Sequence, residues 1–433
     1  MNLFLASAQT IAPHPAMILP FVLMLLAIAL MPFINKHWWE RHYPKVSVAL
    51  AAISIFYYVF ILHHPERMLH IGYEYISFIA LIGSLFVVAG GIHIRVKGES
   101  TPAVNCLYLG IGAVLANIIG TTGASMLLIR PWIRSNKYRI TQFHIVFFIF
   151  IVSNVGGCLT PIGDPPLFLG YLKKIPFWWT LEHLWEAWLI AVALLISIFY
   201  VFDKINFHRA PKAIAKKETA HETWKVDGLH NILFIAMILG AVFIPSPWRE
   251  IAMFLAAIAS YKTTPQPVHE ANDFNFLPIK EVAWLFFGIF ATMAAALDYL
   301  AIHAAELGVN TPMKFYWMTG LLSGLLDNAP TYLTFLTTSV SQHVNPATGV
   351  NLSIDAASDM AAYVNLHPLE LMAISLGAVF FGAVTYIGNG PNFMVKSIAD
   401  QSKIHTPSFF GYLFKYSLPV LLPIFILIAA LLR

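Results

Sequence analysis

Two stretches of this chain put acids and amides where an apolar sequence should exclude them. Residues 153–166 read SNVGGCLTPIGDPP between FHIVFFIFIV and LFLGYL, and residues 325–330 read LLDNAP inside another apolar run. An aspartate at the bilayer centre costs about 2.5–3.5 kcal/mol on insertion scales, so Asp164 and Asp327 are the best candidates for function. Proline removes a backbone donor and glycine loosens the chain, so a span carrying them breaks near its middle. Such a break survives only when it is buried in protein or lines a wet cavity. Its freed carbonyls and helix ends, with Ser153, Asn154, Thr160 and Asp164 nearby, are oxygen ligands suited to a hard cation. Two carboxylates that converge there repel by about 4 kcal/mol at about 4 Å in an effective dielectric near 20, and a bound proton or cation relieves that repulsion. The chemistry implied is competition between Na⁺ and H⁺ at a carboxylate site exposed alternately to the two sides of a membrane.

The elements that would position these groups are transmembrane helices. Of the 433 residues, 58% are hydrophobic and 11% charged, which excludes an ordinary soluble domain. Apolar spans are expected near 16–34, 45–62, 73–93, 143–172, 182–203, 229–244, 248–262, 281–303, 368–399 and 408–432, with broken stretches near 102–130 and 312–338. If each broken stretch enters and leaves on one side, the chain crosses about ten times. Of the 26 Lys and Arg, 19 fall in the loops 35–45, 94–103, 130–142, 203–228, 262–281 and 396–407, and five in the alternate loops. By the positive-inside rule the first set is cytoplasmic and both termini are not. The expected location is the cell (inner) membrane of a multi-pass protein. The start, MNLFLASAQTIAPHP, lacks the basic segment of a cleaved signal, so the first span is expected to be retained. Cys106 and Cys158 read as small buried residues, and none of the 17 histidines stands at a metal-ligand spacing with Cys or carboxylates. Asp298 falls near a span end, Glu186 and His93 near membrane edges, and the tryptophans at 38–39 and 178–179 read as interface anchors. The net charge of +4 gives no reason to expect a nucleic-acid partner.

The two halves repeat. TPIGDPPLF (160–168) overlays TYIGNGPNF (385–393), setting Asp164 against Asn389, and GTTGASMLL (120–128) overlays LDNAPTYLT (326–334), setting Thr121 and Thr122 against Asp327 and Asn328. Five crossings per half is odd, so the second copy lies upside down. Inverted repeats with Gly/Pro-interrupted spans at matching positions point to a secondary transporter with its site at the midplane. The expected organisation is a first repeat at 1–210, a cytoplasmic basic linker at 211–228 and a second repeat at 229–433. The fold class is all-α polytopic membrane protein, with two re-entrant hairpins and two discontinuous helices. An intramembrane enzyme would need a nucleophile–base pair or a metal triad, and the sequence shows neither.

On GGCLTPIGD (156–164), LLDNAP (325–330) and YIGNGPN (386–392), the chain resembles the ion transporter superfamily over nearly its whole length, within it the NhaD-type sodium:proton antiporters and citrate-transporter-like proteins. The resemblance implies an elevator-like transport region and a scaffold that dimerises. It also implies ion binding by Thr121, Thr122, Asp327 and Asn328 at the hairpin tips, with Asn154, Thr160, Asp164, Thr385, Asn389 and Asn392 from the broken helices. Na⁺ is expected at Asp164, Asp327, Asn328 and Asn154, with no cofactor beyond the transported Na⁺ and H⁺. NhaD-like proteins carry an Asp-Asn pair at the first hairpin too, whereas this chain has Thr121-Thr122, and its GDPP is closer to the anion carriers. The leading expectation is a sodium:proton antiporter exporting Na⁺ or Li⁺. The alternative is a Na⁺-coupled symporter of di- or tricarboxylates such as citrate.

Overall fold

The computed structural model describes residues 12–95, 100–209, 225–346 and 348–432. Most of the basic linker and the first eleven residues therefore lie outside the described residues. The chain is an all-α membrane protein whose one small sheet pairs β1 (His93–Arg95) with β2 (Lys225–Asp227) antiparallel. The helices in chain order are α1 (Leu19–Ile34), α2 (Lys36–Phe56), α3 (Pro65–Gly90), α4 (Pro102–Ser135), α5 (Gln142–Ile151), α6 (Pro165–Leu172) and α7 (Trp179–Arg209). Then come α8 (Asn231–Ala241), α9 (Trp248–Thr263), α10 (Gln266–Ala271), α11 (Leu277–His303), α12 (Pro312–Leu325), α13 (Asn328–Gln342), α14 (Ala357–Leu366), α15 (Pro368–Phe381), α16 (Gly390–Gln401), α17 (Phe409–Tyr412) and α18 (Leu418–Ala429).

Among the described residues eight helical segments are long and apolar enough to cross a membrane, or nine if α14 and α15, bent by 94°, form one span. The sequence suggests about ten. The difference lies partly at 229–262, where two expected spans form α8 and α9, of 11 and 16 residues. At 1.5 Å per residue these reach roughly 17 and 24 Å, short of the roughly 30 Å of hydrocarbon.

Both broken stretches fold back on themselves. α4 bends at Gly120, which has φ 76° and ψ 155°, a conformation open in practice to glycine alone. Its arms then run antiparallel: Asn105 donates to Asn136 Oδ1 at 2.8 Å, and the Tyr108 hydroxyl to the Leu128 carbonyl at 2.8 Å. α12 and α13 form the second hairpin, turning at Leu326 and Asp327, with Gln342 Nε2 donating to the Val309 carbonyl at 3.0 Å.

The charged and strand contacts between loops fall into two groups. In one, β1 meets β2, Arg130 pairs with Asp273, and the buried Arg139 pairs with Asp203, which also holds His144 at 3.1 Å. In the other, Arg67 pairs with Asp298 at 2.6 Å and Asp355 at 2.9 Å, and Lys173 with Glu74 and Asp355, each at 2.6 Å. Burial opposes charge on Asp355, but the Lys173 ammonium and Arg67 guanidinium hold its carboxyl well below the usual range. Asp298 is thus an ion-pair member, further held by the Tyr58 hydroxyl at 2.7 Å. Of the tryptophan pairs, Trp38 and Trp178 are exposed while Trp39 and Trp179 are buried, so only one of each pair can serve as a surface anchor.

Candidate ion-binding site

The first broken helix is α5, a short 3₁₀ turn at Val155–Leu159, and α6; the second is α15, a 3₁₀ turn at Gly382–Val384, and α16. α5 is buried from His144 to Ile151 and α15 through nearly all of Leu371 to Phe381, so protein, not lipid, surrounds both breaks. Each loop closes through two glycines. A Cβ on Gly157 would meet the Gly163 carbonyl at 2.7 Å, and one on Gly388 the Gly382 carbonyl at 2.8 Å. Each hairpin also docks on the break of its own half. Thr160 Oγ1 donates to the Asn117 carbonyl at 2.6 Å, and Thr385 Oγ1 to the Gly324 carbonyl at 2.8 Å. Thr160 and Thr385 therefore brace the loops and do not reach the buried carboxylate.

Asp164 occupies the N-cap position of α6, yet its side chain caps nothing. A cap accepts from the second or third backbone N–H of its helix. Pro165 and Pro166 fill the first two positions without any N–H, and the third, Leu167, donates to the Asp164 backbone carbonyl at 3.1 Å, so the carboxylate turns elsewhere. It is fully buried, and three neutral donors converge on it. Thr121 Oγ1 donates to Oδ1 at 3.0 Å, Asn389 Nδ2 to Oδ1 at 3.1 Å, and Asn328 Nδ2 to Oδ2 at 2.7 Å. Asp164 makes no salt bridge among the described residues.

A second tier of amides holds these donors. Asn389 Nδ2 also lies 3.3 Å from the Ser153 carbonyl and 3.4 Å from Asn154 Oδ1. Asn154 donates to Asn392 Oδ1 at 2.7 Å, and Asn392 to the Gly382 and Thr385 carbonyls at 2.8 and 3.1 Å. Ser153 Oγ meets Ser125 Oγ at 2.7 Å. The two breaks thus touch each other at the centre of the molecule, and the second half reaches across to the acid of the first.

One feature suits this place to a cation. Asn328 Oδ1 is buried and has no hydrogen-bond partner, although it stands on the amide that touches Asp164. A buried oxygen left this way costs about 1–3 kcal/mol unless something occupies it. On the Thr121 side of Asp164, away from Asn328, lies a cavity of about 20 Å³ whose lining is largely apolar, with Leu81, Leu85 and Phe168 among its walls, and polar at Thr121, Thr122 and Asp164. Thr122 lines this cavity, and no hydrogen bond joins its side chain to Asp164. Asp327 does different work: its Oδ1 caps α13 by accepting from the Ala329 N–H at 3.0 Å, and its side chain makes no hydrogen bond to Asp164.

Sequence reasoning missed Asn117 and Ser125. Asn117 donates to the Ala113 and Gly156 carbonyls and accepts from the Leu159 N–H, tying the first hairpin to its break through both ends of one amide. An amide three residues before the Gly120 turn was the available signal. Nothing in the sequence marks Ser125 apart from its neighbours.

A helical membrane protein with two re-entrant hairpins, two interrupted helices and a buried acid where they meet has the architecture of an ion-coupled carrier. Residues 11–432 match the family described as "Putative citrate transport", and the chain belongs to that citrate-transporter-like membrane family. No curated protein matches the chain.

Proposed function

We propose that this chain is a secondary active transporter that exchanges Na⁺ for H⁺ at Asp164. One observation carries the reading: a fully buried carboxylate held by three neutral donors, beside a buried amide oxygen that lacks a partner. Among the described residues no basic side chain neutralises the acid, so a cation or a proton must. Asp164 and Asn328 Oδ1 supply two ligands for Na⁺. Protonation of Asp164 removes the charge that holds Na⁺, which makes the two ions competitors. The site would open alternately to the two membrane faces as the hairpins and breaks move against a scaffold, in two inverted halves spanning 1–210 and 229–433.

The family description favours a second reading, in which the same cation site drives uptake of a di- or tricarboxylate such as citrate. A bound Na⁺ would then offset the charge of Asp164 and give the substrate carboxylate its partner. Proteoliposomes holding a pH dye separate the two. Antiport is supported when added Na⁺ collapses a preset pH gradient with no carboxylate present. Citrate accumulation that requires Na⁺, with the pH gradient left intact, overturns antiport in favour of the symporter.

A further inference from the structure

A second group of ligand-type side chains stands away from Asp164, where the second hairpin ends and α15 begins. His343 follows the last turn of α13, His367 sits at the corner between α14 and α15, and Glu370 is in the first turn of α15. One ligand atom from each lies within 4.8 Å of the others. The two imidazoles stack with centroids 3.5 Å apart, and His343 Nε2 lies 2.7 Å from Glu370 Oε2. Ser339 Oγ also meets Glu370 Oε2, at 2.9 Å, and the buried Tyr363 hydroxyl at 2.6 Å. Glu370 Oε1 and both ring nitrogens of His367 form no hydrogen bond among the described residues. Three ligand-type side chains therefore lie together with lone pairs to spare, and all three are partly exposed, so an ion can reach them.

The backbone beneath them is fixed. The His343 carbonyl accepts from the Leu352 N–H at 2.8 Å, and the His367 N–H donates to the Tyr363 carbonyl at 2.8 Å. A tetrahedral ion with bonds of roughly 2.0–2.2 Å needs its ligand atoms roughly 3.4 Å apart, so binding would turn the two rings out of their stack to aim both lone pairs at one ion. The sequence hides the site, because His343 and His367 are distant in the chain and only the corner between α14 and α15 brings them together. The other comparable group is already filled: Lys173 Nζ lies 2.6 Å from both Glu74 and Asp355, beside His70, so its place for positive charge is taken.

We infer that His343, His367 and Glu370 bind one divalent transition-metal ion of the zinc class, with water completing the shell. Two imidazoles and one carboxylate are the ligand set that favours zinc over magnesium or calcium. The ion would clamp the end of the second hairpin to the start of the second broken helix, far along both from Asn328 and Gly382.

The test uses the full chain in detergent with any affinity tag removed, titrated with Co²⁺ as a visible probe and then with Zn²⁺. The expected result is one Co²⁺ per chain with the visible absorption of a tetrahedral ion, displaced by Zn²⁺ and lost in His367→Asn. Because the His367 ring makes no hydrogen bond among the described residues and loses only its stacking on His343 and Tyr363, that variant should lower the metal-free melting temperature little. Zn²⁺ should raise the melting temperature of the wild type in a concentration-dependent way and leave the variant unmoved. No visible band in the wild type, or a band and a Zn²⁺ stabilisation that persist in His367→Asn, would overturn the inference.

Discussion

The two hairpins share a frame and differ at their tips. The first turns on Gly120, whose backbone conformation a side chain resists and whose added Cβ would come within 3.2 Å of the Ile162 carbonyl. The second turns through Leu326 and Asp327 with ordinary backbone angles, and Asp327 stabilises the turn by capping α13. Just past each tip one residue donates to Asp164: Thr121 on the first hairpin, Asn328 on the second. The Thr121 hydroxyl donates and accepts through one atom, whereas the Asn328 amide donates through its nitrogen and keeps a separate oxygen without a partner. The broken helices differ in the same way, since the first presents Asp164 and the second Asn389 from matching N-cap positions. Two matching hairpin-and-break units thus carry unlike side chains, and one acid is contacted from both.

The largest expected effect follows from that asymmetry. Asp164→Asn should abolish Na⁺-dependent proton movement in proteoliposomes while leaving a folded, monodisperse protein. Exchange at the wild-type rate would remove Asp164 from the mechanism.

Next come the two donors, which should not be equal. Asn328→Ala removes a hydrogen bond to a charged group and the free oxygen, a loss of about 1.5–3 kcal/mol. That corresponds to a roughly tenfold to hundredfold rise in the Na⁺ concentration needed for half-maximal exchange. Thr121→Val also removes a hydrogen bond to the carboxylate, a longer one at 3.0 Å against 2.7 Å and with no unpartnered oxygen lost beside it, so its loss should fall at the low end of that range, about 1.5 kcal/mol or a roughly tenfold rise. Equal effects, or a larger one at Thr121, would break the distinction between the tips.

A smaller effect is expected on stability. Gly120→Ala forces a side chain into a glycine conformation at about 1–3 kcal/mol, visible as a lower melting temperature. Asp327→Asn keeps a capping side chain at the other tip and should shift melting by only a few tenths of a kcal/mol. Its exchange rate should stay well above that of Asp164→Asn. Equal loss of exchange in both aspartate variants would make Asp327 a partner in the site.

Much of this was legible in the sequence for a local reason. Proline and glycine act on the backbone where they stand, so the breaks at 153–166 and 382–392 and the turns near 120 and 326 follow from composition. The double proline was readable too, but as a helix breaker. Its further effect, removing the first two N–H groups that follow Asp164, depends on where the helix starts. Partners distant in the chain were not legible. The overlay set Thr121 against Asp327, whereas the contacts pair Asn117 with Gly324 and Thr121 with Asn328, one position further on. Nothing local distinguishes these registers, because both tips tolerate either spacing until the breaks dock beneath them. Ser125, Asn117 and the corner holding His343, His367 and Glu370 were hidden for the same reason.

The account rests on Na⁺ and a proton contending for one carboxylate. The most direct measurement is the half-maximal Na⁺ concentration for exchange as a function of pH in wild-type proteoliposomes. Across the range in which Asp164 is protonated without Na⁺, the predicted result is about a tenfold rise in that concentration for each unit of acidification, one proton displaced per ion bound. A half-maximal concentration that stays flat from acid to alkaline pH would contradict it.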